Sequence, residues 1–353
     1  MSTYLIIDLN NMAHRCLHAG QGSIDIKTGM ALHITLNAIR QCWKKFKADH
    51  VVFCLEGRSW RHDHYSGYKA HRRVQQSIMT KKEREDNALF FGAFDIFMDF
   101  IREKTNATVL QCESAEADDM IARWIQLHPE DDHVIVSSDR DFFQLLSDRV
   151  KQYDGIRGWT ISTDGYFDDK DQPVVIKKNI TKVDKASGKK VKTSTTVALE
   201  APDPEYELFM KIVRGDSSDN IMSAYPGVRE NGSAKKPGIR EAFEDRKARG
   251  FNWNNFMLQE WDKLVGSDED GNAITERVRV IDQFNANTLL IDLTKQPDDV
   301  KHKMDLAIAD AVSKPKATMV GIWFLRFTEE MSLFNIGKNP TDYANMLAAP
   351  YAR

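Results

Sequence analysis

Three short apolar runs, each followed by acids, constrain the fold of this chain more than any other feature. Tyr4-Leu-Ile-Ile runs into Asp8, Val51-Val-Phe-Cys-Leu55 into Glu56, and His133-Val-Ile-Val136 into Ser-Ser-Asp139-Arg-Asp141. Runs of this length suit strands of a parallel sheet buried on both faces. Helical patterns fall between them: over 31–47, over 89–103, where Phe90, Phe94, Phe97 and Ile101 recur at helical spacing, and over 115–127. With another short strand at 108–111, the pattern through residue 150 predicts βαβ units and an α/β fold.

Beyond residue 150 the pattern changes. Residues 151–200 alternate β-branched and polar side chains around Asp-Gly and Ser-Gly pairs, which reads as hairpins, lysine-rich over 177–192. From Pro204 the chain reads as helical, with a Gly/Lys-rich loop at 226–238 and an interruption at Asn287-Thr-Leu-Leu-Ile-Asp-Leu. The expected division is an α/β domain at 1–203, carrying a polar, basic insertion at about 58–88 and a hairpin insertion at about 155–200, and a helical region at 204–353.

A chain of 353 residues, 42% apolar, can bury a sizeable core. Its net charge of −3 argues against a protein that simply coats nucleic acid. Cys16, Cys42, Cys54 and Cys112 show no metal-type spacing and read as thiols in a reducing compartment, the first three buried among apolar residues. No run approaches the ~20 apolar residues that span a membrane, and no basic leader precedes the first apolar run. The expectation is a soluble, cytoplasmic monomer.

In open α/β sheets, ligands bind beyond the carboxyl ends of the strands. Asp8, Glu56, Asp139 and Asp141 fall at such ends, Glu116, Asp118 and Asp119 open a helix, and Asp216 and Asp219 lie in Arg214-Gly-Asp-Ser-Ser-Asp-Asn220. Taken singly, each acid reads equally as a turn residue, a cap or a complement to a helix dipole. Taken together on adjacent strands they would converge. Two unit charges ~4 Å apart repel by about 4 kcal/mol at an effective dielectric near 20, so such a cluster needs cations or protons. An all-oxygen set suits magnesium, and two such ions can activate water and stabilise the leaving oxygen of a phosphodiester.

Arg58, Arg61, Lys69, Arg72, Arg73, Lys81, Lys82 and Arg84 form a basic stretch interleaved with Trp60, Tyr65 and Tyr68. Cations for phosphates and rings for bases suit a single strand; a solvated basic loop is the alternative. Lys69 and Arg72 are three residues apart, so on a helix they share one face. Lys235, Lys236 and Arg240 are candidates for duplex phosphates, the lysines of 177–192 read as solvated, and Trp323, Phe324 and Phe327 read as core.

Five segments in order carry a resemblance: Ile-Ile-Asp8-Leu-Asn-Asn; Glu56-Gly-Arg-Ser-Trp-Arg61 with Tyr68-Lys-Ala-His-Arg72; Ala115-Glu-Ala-Asp-Asp119; Ser138-Asp-Arg-Asp141-Phe-Phe-Gln-Leu; and Gly215-Asp-Ser-Ser-Asp-Asn220-Ile. Through them the chain resembles the 5′ nuclease family: flap endonucleases, the 5′-exonuclease domain of bacterial DNA polymerase I and the phage 5′ exonucleases. It is most similar to the phage branch, which includes the RNase H enzymes of T-even phages. The likeness runs from Tyr4 to about Asp292. It implies a PIN-like α/β core with a parallel or mixed sheet, an arch over the site and a C-terminal helical DNA-binding region.

The resemblance further implies hydrolysis of phosphodiesters near 5′ ends with two Mg2+ ions, Mn2+ being a substitute. Substrates would be 5′ flaps, RNA primers in RNA–DNA hybrids or duplex 5′ ends, and products a 5′-phosphate and a 3′-hydroxyl. Asp8, Glu56, Glu116 and Asp118 would hold one ion. Asp118, Asp139, Asp141, Asp216 and Asp219 would hold the other, directly or through water, with Asp119 in the same acidic set. Lys69 and Arg72 would act at the scissile phosphate. Arg58, Arg61, Tyr68, Arg73, Lys81, Lys82, Lys235 and Lys236 would contact nucleic acid. A single-strand binding protein or a polymerase clamp would be further partners, in a bacterium or a phage-infected cell. Two departures stand out. Glu56 replaces an aspartate, and after Asn220-Ile the family's Gly-Val-Pro-Gly-Ile-Gly hairpin loses its register. A non-catalytic DNA-binding module of the same fold and a PIN-type nuclease for single-stranded RNA remain as rivals.

Overall fold

Alternation of side chains along the strands decides the layers. Leu5, Ile7, Val51, Phe53, Val134 and Val136 pack on one face of the sheet, and Tyr4, Ile6, Val52, Cys54 and Ile135 on the other. A slip of one residue would exchange the two sets, so burial on both sides fixes the register. The structure, a computed structural model, describes residues 1–19, 23–183, 190–233, 236–267 and 272–352. Strands β1 (Thr3–Asp8), β2 (His50–Cys54), β3 (Thr108–Leu110), β4 (Asp132–Val136), β5 (Val150–Asp154), β6 (Trp159–Ser162) and β7 (Gly165–Phe167) form one sheet. Its order is β3-β2-β1-β4-β5-β6-β7. The first five strands run parallel and the last two antiparallel, so the sheet is mixed. Strand order reverses between β1 and β4, which opens a crevice at their carboxyl ends.

Two hairpins stand apart from this sheet: β8 (Val175–Val183) with β9 (Lys190–Ala198), and β10 (Glu260–Ser267) with β11 (Ala273–Arg279). The helices are α1 (Leu9–Ala19), α2 (Ile24–Phe46), α3 (Arg61–His64), α4 (Ala70–Ile78), α5 (Lys81–Lys104), α6 (Ala117–Leu127) and α7 (Pro204–Arg214). They continue with α8 (Ile239–Asp245), α9 (Phe251–Met257), α10 (Val280–Ile291), α11 (Asp298–Val312), α12 (Val320–Glu330), α13 (Phe334–Gly337) and α14 (Thr341–Ala348). α2, α5, α12 and α14 cover one face of the sheet, and α6 and α11 the other. Among the described residues no helix is long and apolar enough to cross a membrane.

Several elements differ from expectation for physical reasons. α5 starts eight residues before the apolar spacing begins, because Thr80 and Glu83 close a capping box and the first turns stand exposed. The segment at Asn287 does not interrupt the helices. It is the buried end of α10, packed on Ile212 and Ile221, and the interruption is the β10–β11 hairpin. A short apolar run does not by itself distinguish strand from buried helix. The stretch 204–353 also divides: α7 to α10 share a cluster around Phe209, Phe243 and Phe256, while α11 to α14 return to the sheet. Cys42, Cys54 and Cys112 are free and buried, whereas the side chain of Cys16 lies outside the described residues. Lys177 and Lys178 are exposed, Phe324 and Phe327 buried and Trp323 half-buried; the side chains of the remaining lysines of 177–192 lie outside the described residues.

Phe327 joins the returning helices to the core, stacked 4.4 Å from Phe100 and 5.8 Å from Phe97 between ring centroids. Phe327→Ala should lower stability by about 3–5 kcal/mol, the usual consequence of emptying a buried phenylalanine site. Urea denaturation checks this, and a loss below ~1 kcal/mol contradicts the packing described.

Candidate metal centre

The crevice between β1 and β4 gathers the acids that the sequence placed at strand ends. Asp8 accepts 2.8 Å from the Ser137 hydroxyl and 3.2 Å from the Asn11 amide. Burial raises its carboxyl to about 6 against those two bonds, and the charge of Asp139 adds to the rise. Glu56 lies two residues past β2 and accepts from the Ala117 amide at 3.1 Å, so it caps the start of α6. It keeps an open face to solvent, yet the protein packed around its carboxyl, and after that the charge of Glu116, raise it to about 7. Asp139 accepts from the Asp141 amide at 2.9 Å. Burial raises Asp141 to about 6.

Asp118, in the first turn of α6, is the exception among these acids. No hydrogen bond or ion pair holds it among the described residues. Burial first, and then Asp8, Glu56, Asp139 and Asp141, raise its carboxyl well above the ordinary range.

Two lysines hold the outer acids. Lys69 Nζ pairs with Glu116 and lies 3.8 Å from Asp219, and Arg72 donates to Asp219 at 3.0 Å. Lys211, on the last turn of α7, pairs with Asp141 and lies 2.8 Å from Asp216. Burial alone would lower both lysines, but the facing carboxylates outweigh it and raise them. Burial likewise opposes the charged forms of Glu116 and Asp216. Lys69 and Arg61 on the first, and Lys211 and Ser218 on the second, hold both below the ordinary range. Among the described residues no three acids close on one point as a finished ligand group. Sequence reasoning missed Lys211, because a lysine in a last helical turn reads as an ordinary complement to the helix dipole.

The structure corrects several expected roles. Asp119 is fully buried, with bonds from Arg61 at 2.8 and 2.9 Å, from the Trp60 indole at 3.2 Å and from the Glu116 amide at 3.1 Å. Its oxygens are engaged, so it positions neighbours and does not face an ion. Arg61, 2% exposed, also donates to the Leu290 carbonyl at 2.7 Å and to Glu116 at 3.1 Å. It ties α3, α6 and α10 together and cannot reach a nucleic-acid backbone. Tyr68 and Trp60 are buried too, and the Tyr68 hydroxyl reaches Glu116 at 2.8 Å and Asp219 at 3.0 Å. Neither ring offers a face to a base.

Other expected contacts remain at the surface. Arg58, Arg72, Arg73, Lys81, Lys82 and Arg84 are exposed on α3, α4 and α5 or beside them. Arg58 pairs with Asp63, and Lys81 lies 3.7 Å from Glu85. Lys236 is exposed beside the Tyr225 ring, and Arg240 lies over Tyr206. Lys235 falls outside the described residues.

Comparison with known proteins places this geometry. The sequence model of a family described as 5′-3′ exonuclease, N-terminal resolvase-like domain, matches residues 3–194. The flap endonuclease Xni of Psychromonas ingrahamii is 30% identical over 162 residues, covering 44% of this chain and 57% of the relative. DNA polymerase I of Rhizobium leguminosarum is 25% identical over 288 residues, 80% of this chain but 22% of the polymerase. The chain thus spans a little over half of the Xni relative. Among solved structures, bacteriophage T5 5′-exonuclease with bound zinc superimposes with a TM-score of 0.53 at 17% identity, over 88% of this chain and 99% of that one. Bacteriophage T5 flap endonuclease, in a complex with DNA and metal ions, gives 0.52 at 17% identity, over 88% and 100%. At such identity the likeness is one of fold.

Two predictions follow from the charges. Arg61→Met leaves Asp119 buried and unpaired and should cost about 3–5 kcal/mol of stability, measured by chemical denaturation; near-wild-type stability would contradict the positioning role. Asp8 and Asp141, raised from 3.8 to about 6, and Glu56, raised from 4.5 to about 7, favour folding in their protonated forms. That stabilisation is complete below their ordinary values and is lost as pH rises through about 6 to 7. Glu116 and Asp216 act oppositely, but only below the ordinary carboxyl range. In EDTA, Tm should therefore fall between pH 5 and pH 8, and magnesium should restore it at pH 8. A Tm that magnesium leaves unchanged at pH 8 contradicts this account.

Proposed function

The chain belongs to the 5′-3′ exonuclease family that includes the flap endonucleases, and from that membership we propose that it is a metal-dependent, structure-specific 5′ nuclease. The observation that carries the reading is Asp118, a carboxylate with no hydrogen-bond or ion-pair partner among the described residues, whose ionisation burial and then the charges of Asp8, Glu56, Asp139 and Asp141 oppose. Its charged form calls for a cation, and the donors around it are all oxygens, which fits magnesium, or manganese in its place.

Asp8, Glu56, Glu116 and Asp118 would hold one ion. Asp118, Asp139, Asp141, Asp216 and Asp219 would hold a second, directly or through water. Once bound, the ions would supply an acidified water and stabilise the leaving oxygen of the phosphodiester. The chain's own residues orient this machinery. Arg61 and Asp119 fix the start of α6, and the Ala117 amide aims Glu56. Lys69 and Arg72 stand at the base of the basic segment, beside Glu116 and Asp219, where they would neutralise charge on the scissile phosphate. Exposed cations on α4 and the first turns of α5 would follow the backbone of an unpaired 5′ strand.

Substrates of this reading are 5′ flaps, duplex 5′ ends and RNA primers paired with DNA, cut to leave a 5′-phosphate and a 3′-hydroxyl. RNase H activity belongs to the same proposal, as does help from a single-strand binding protein or a polymerase clamp. A non-catalytic module would have no use for so many gathered acids.

End-labelled 5′-flapped and RNA-primed duplexes, incubated with magnesium or EDTA, test the function. Short 5′ products should appear only with magnesium. Asp139→Asn should reduce cleavage about a hundredfold or more while DNA binding stays within a few-fold of wild type. Near-normal turnover in that variant would sink the metal assignment. Lys69→Ala should slow single-turnover cleavage by a similar factor with little loss of affinity; a pure affinity defect would move Lys69 away from the scissile phosphate.

A further inference from the structure

Beside the metal centre lies a cavity that the acids do not fill. It holds about 220 Å3 between α1, α5 and the residues that follow β2. Ala13, Phe94 and Met98, all nearly inaccessible, make its floor, and the half-exposed ring of Phe91 lines it higher up. Asn10, Glu56 and Asp95 stand at its more open side. Glu56 belongs to both the cavity and the acid cluster, and α1 begins directly after Asp8, so the two sites share a border.

We propose that this cavity is a nucleobase pocket, which receives one unpaired base of the substrate strand next to the phosphate that Lys69 and Arg72 would neutralise. The inference rests on the nuclease reading above and deepens it. Size points to a single ring system: the volume is below the ~300–1,000 Å3 of pockets for drug-sized ligands, too small for a whole nucleotide. Charge points to the same part of the nucleotide. Glu56 and Asp95 repel a phosphate, so the neutral base enters and the phosphate stays with the cations. The apolar floor and Phe91 suit a flat heteroaromatic surface, and base–aromatic stacking tolerates every base. At the open side, Asp95 accepts from base N–H groups, while Asn10, without a hydrogen-bond partner among the described residues, both donates and accepts. That combination accommodates any of the bases.

The consequence is a source of structural specificity. A base can enter only after leaving its pair, so an already unpaired nucleotide fills the pocket without that penalty and a closed duplex does not. Preference for flaps and frayed 5′ ends would then arise beside the metal centre as well as in the basic segment around it.

Binding of 5′-flapped duplexes with calcium, another cation for oxygen ligands, in place of magnesium tests this, with a single abasic nucleotide moved one position at a time across the junction. Wild-type affinity should drop about tenfold at one position and little at the others. Phe91→Ala, which removes the ring, and Ala13→Met, which fills the floor, should each bind the intact flap about tenfold more weakly and ignore the abasic site at that position. Asn10→Ala, which leaves the packing alone, should lower affinity less and reduce the abasic effect. Equal losses at every position, or losses that persist in the Phe91 and Ala13 variants, overturn the pocket. Failure of the wild type to bind an intact flap would instead overturn the nuclease reading.

Discussion

Carboxylates that repel one another stand at the carboxyl ends of β1, β2 and β4 and on the first turn of α6, and much of the surrounding structure serves to offset that repulsion. Hydrogen bonds take part of the charge: Ser137 and the Asn11 amide on Asp8, the Ala117 amide on Glu56, Ser218 on Asp216. Two lysines take more, Lys69 between Glu116 and Asp219 and Lys211 between Asp141 and Asp216. Among the described residues Asp118 has none of this, and burial together with its acidic neighbours opposes its ionisation. A positive charge beside Asp118 would offset that opposition.

The same contacts couple the basic segment to the site. The Lys69 amide donates to the Asp219 carbonyl at 2.9 Å, and the Asn220 side chain donates to the Gly67 carbonyl at 2.8 Å. Lys69 and Asn220 both sit in the left-handed region, at φ 50° and 60°, which costs each a little and persists because the interlocking bonds hold them. The root of α4 and the loop after α7 therefore behave as one unit. Arg61 extends it to α6 and α10 from within the core. The cations of the basic segment and the acids of the crevice are thus held by shared bonds.

Much of this was legible in the sequence because it depends on periodicity and end positions. Buried runs such as Leu5–Ile7 and Val134–Val136 declared a covered parallel sheet, and acids at the ends of several adjacent parallel strands converge at one edge of it. What escaped depends on tertiary context. Composition makes Arg61, Trp60 and Tyr68 look like a binding surface, yet all three are buried, Arg61 and Tyr68 against α10 and Trp60 against the start of α6. Asp119 is one residue from Asp118, but on a helix adjacent positions face different ways, so one meets Arg61 and the other the acids. Lys211 carries no mark that separates it from any cation in a last helical turn. The return of α11 to α14 onto the sheet follows from which surface stayed uncovered, something no local pattern records.

The central claim is that the acids around Asp118 bind divalent cations. Manganese binding to the metal-free protein, followed by electron paramagnetic resonance at pH 8, tests it most directly. The account predicts saturable binding of two ions in the wild type, and weakened or lost binding in Asp118→Asn with the fold intact. Binding that is equally weak and unsaturable in both proteins would contradict it.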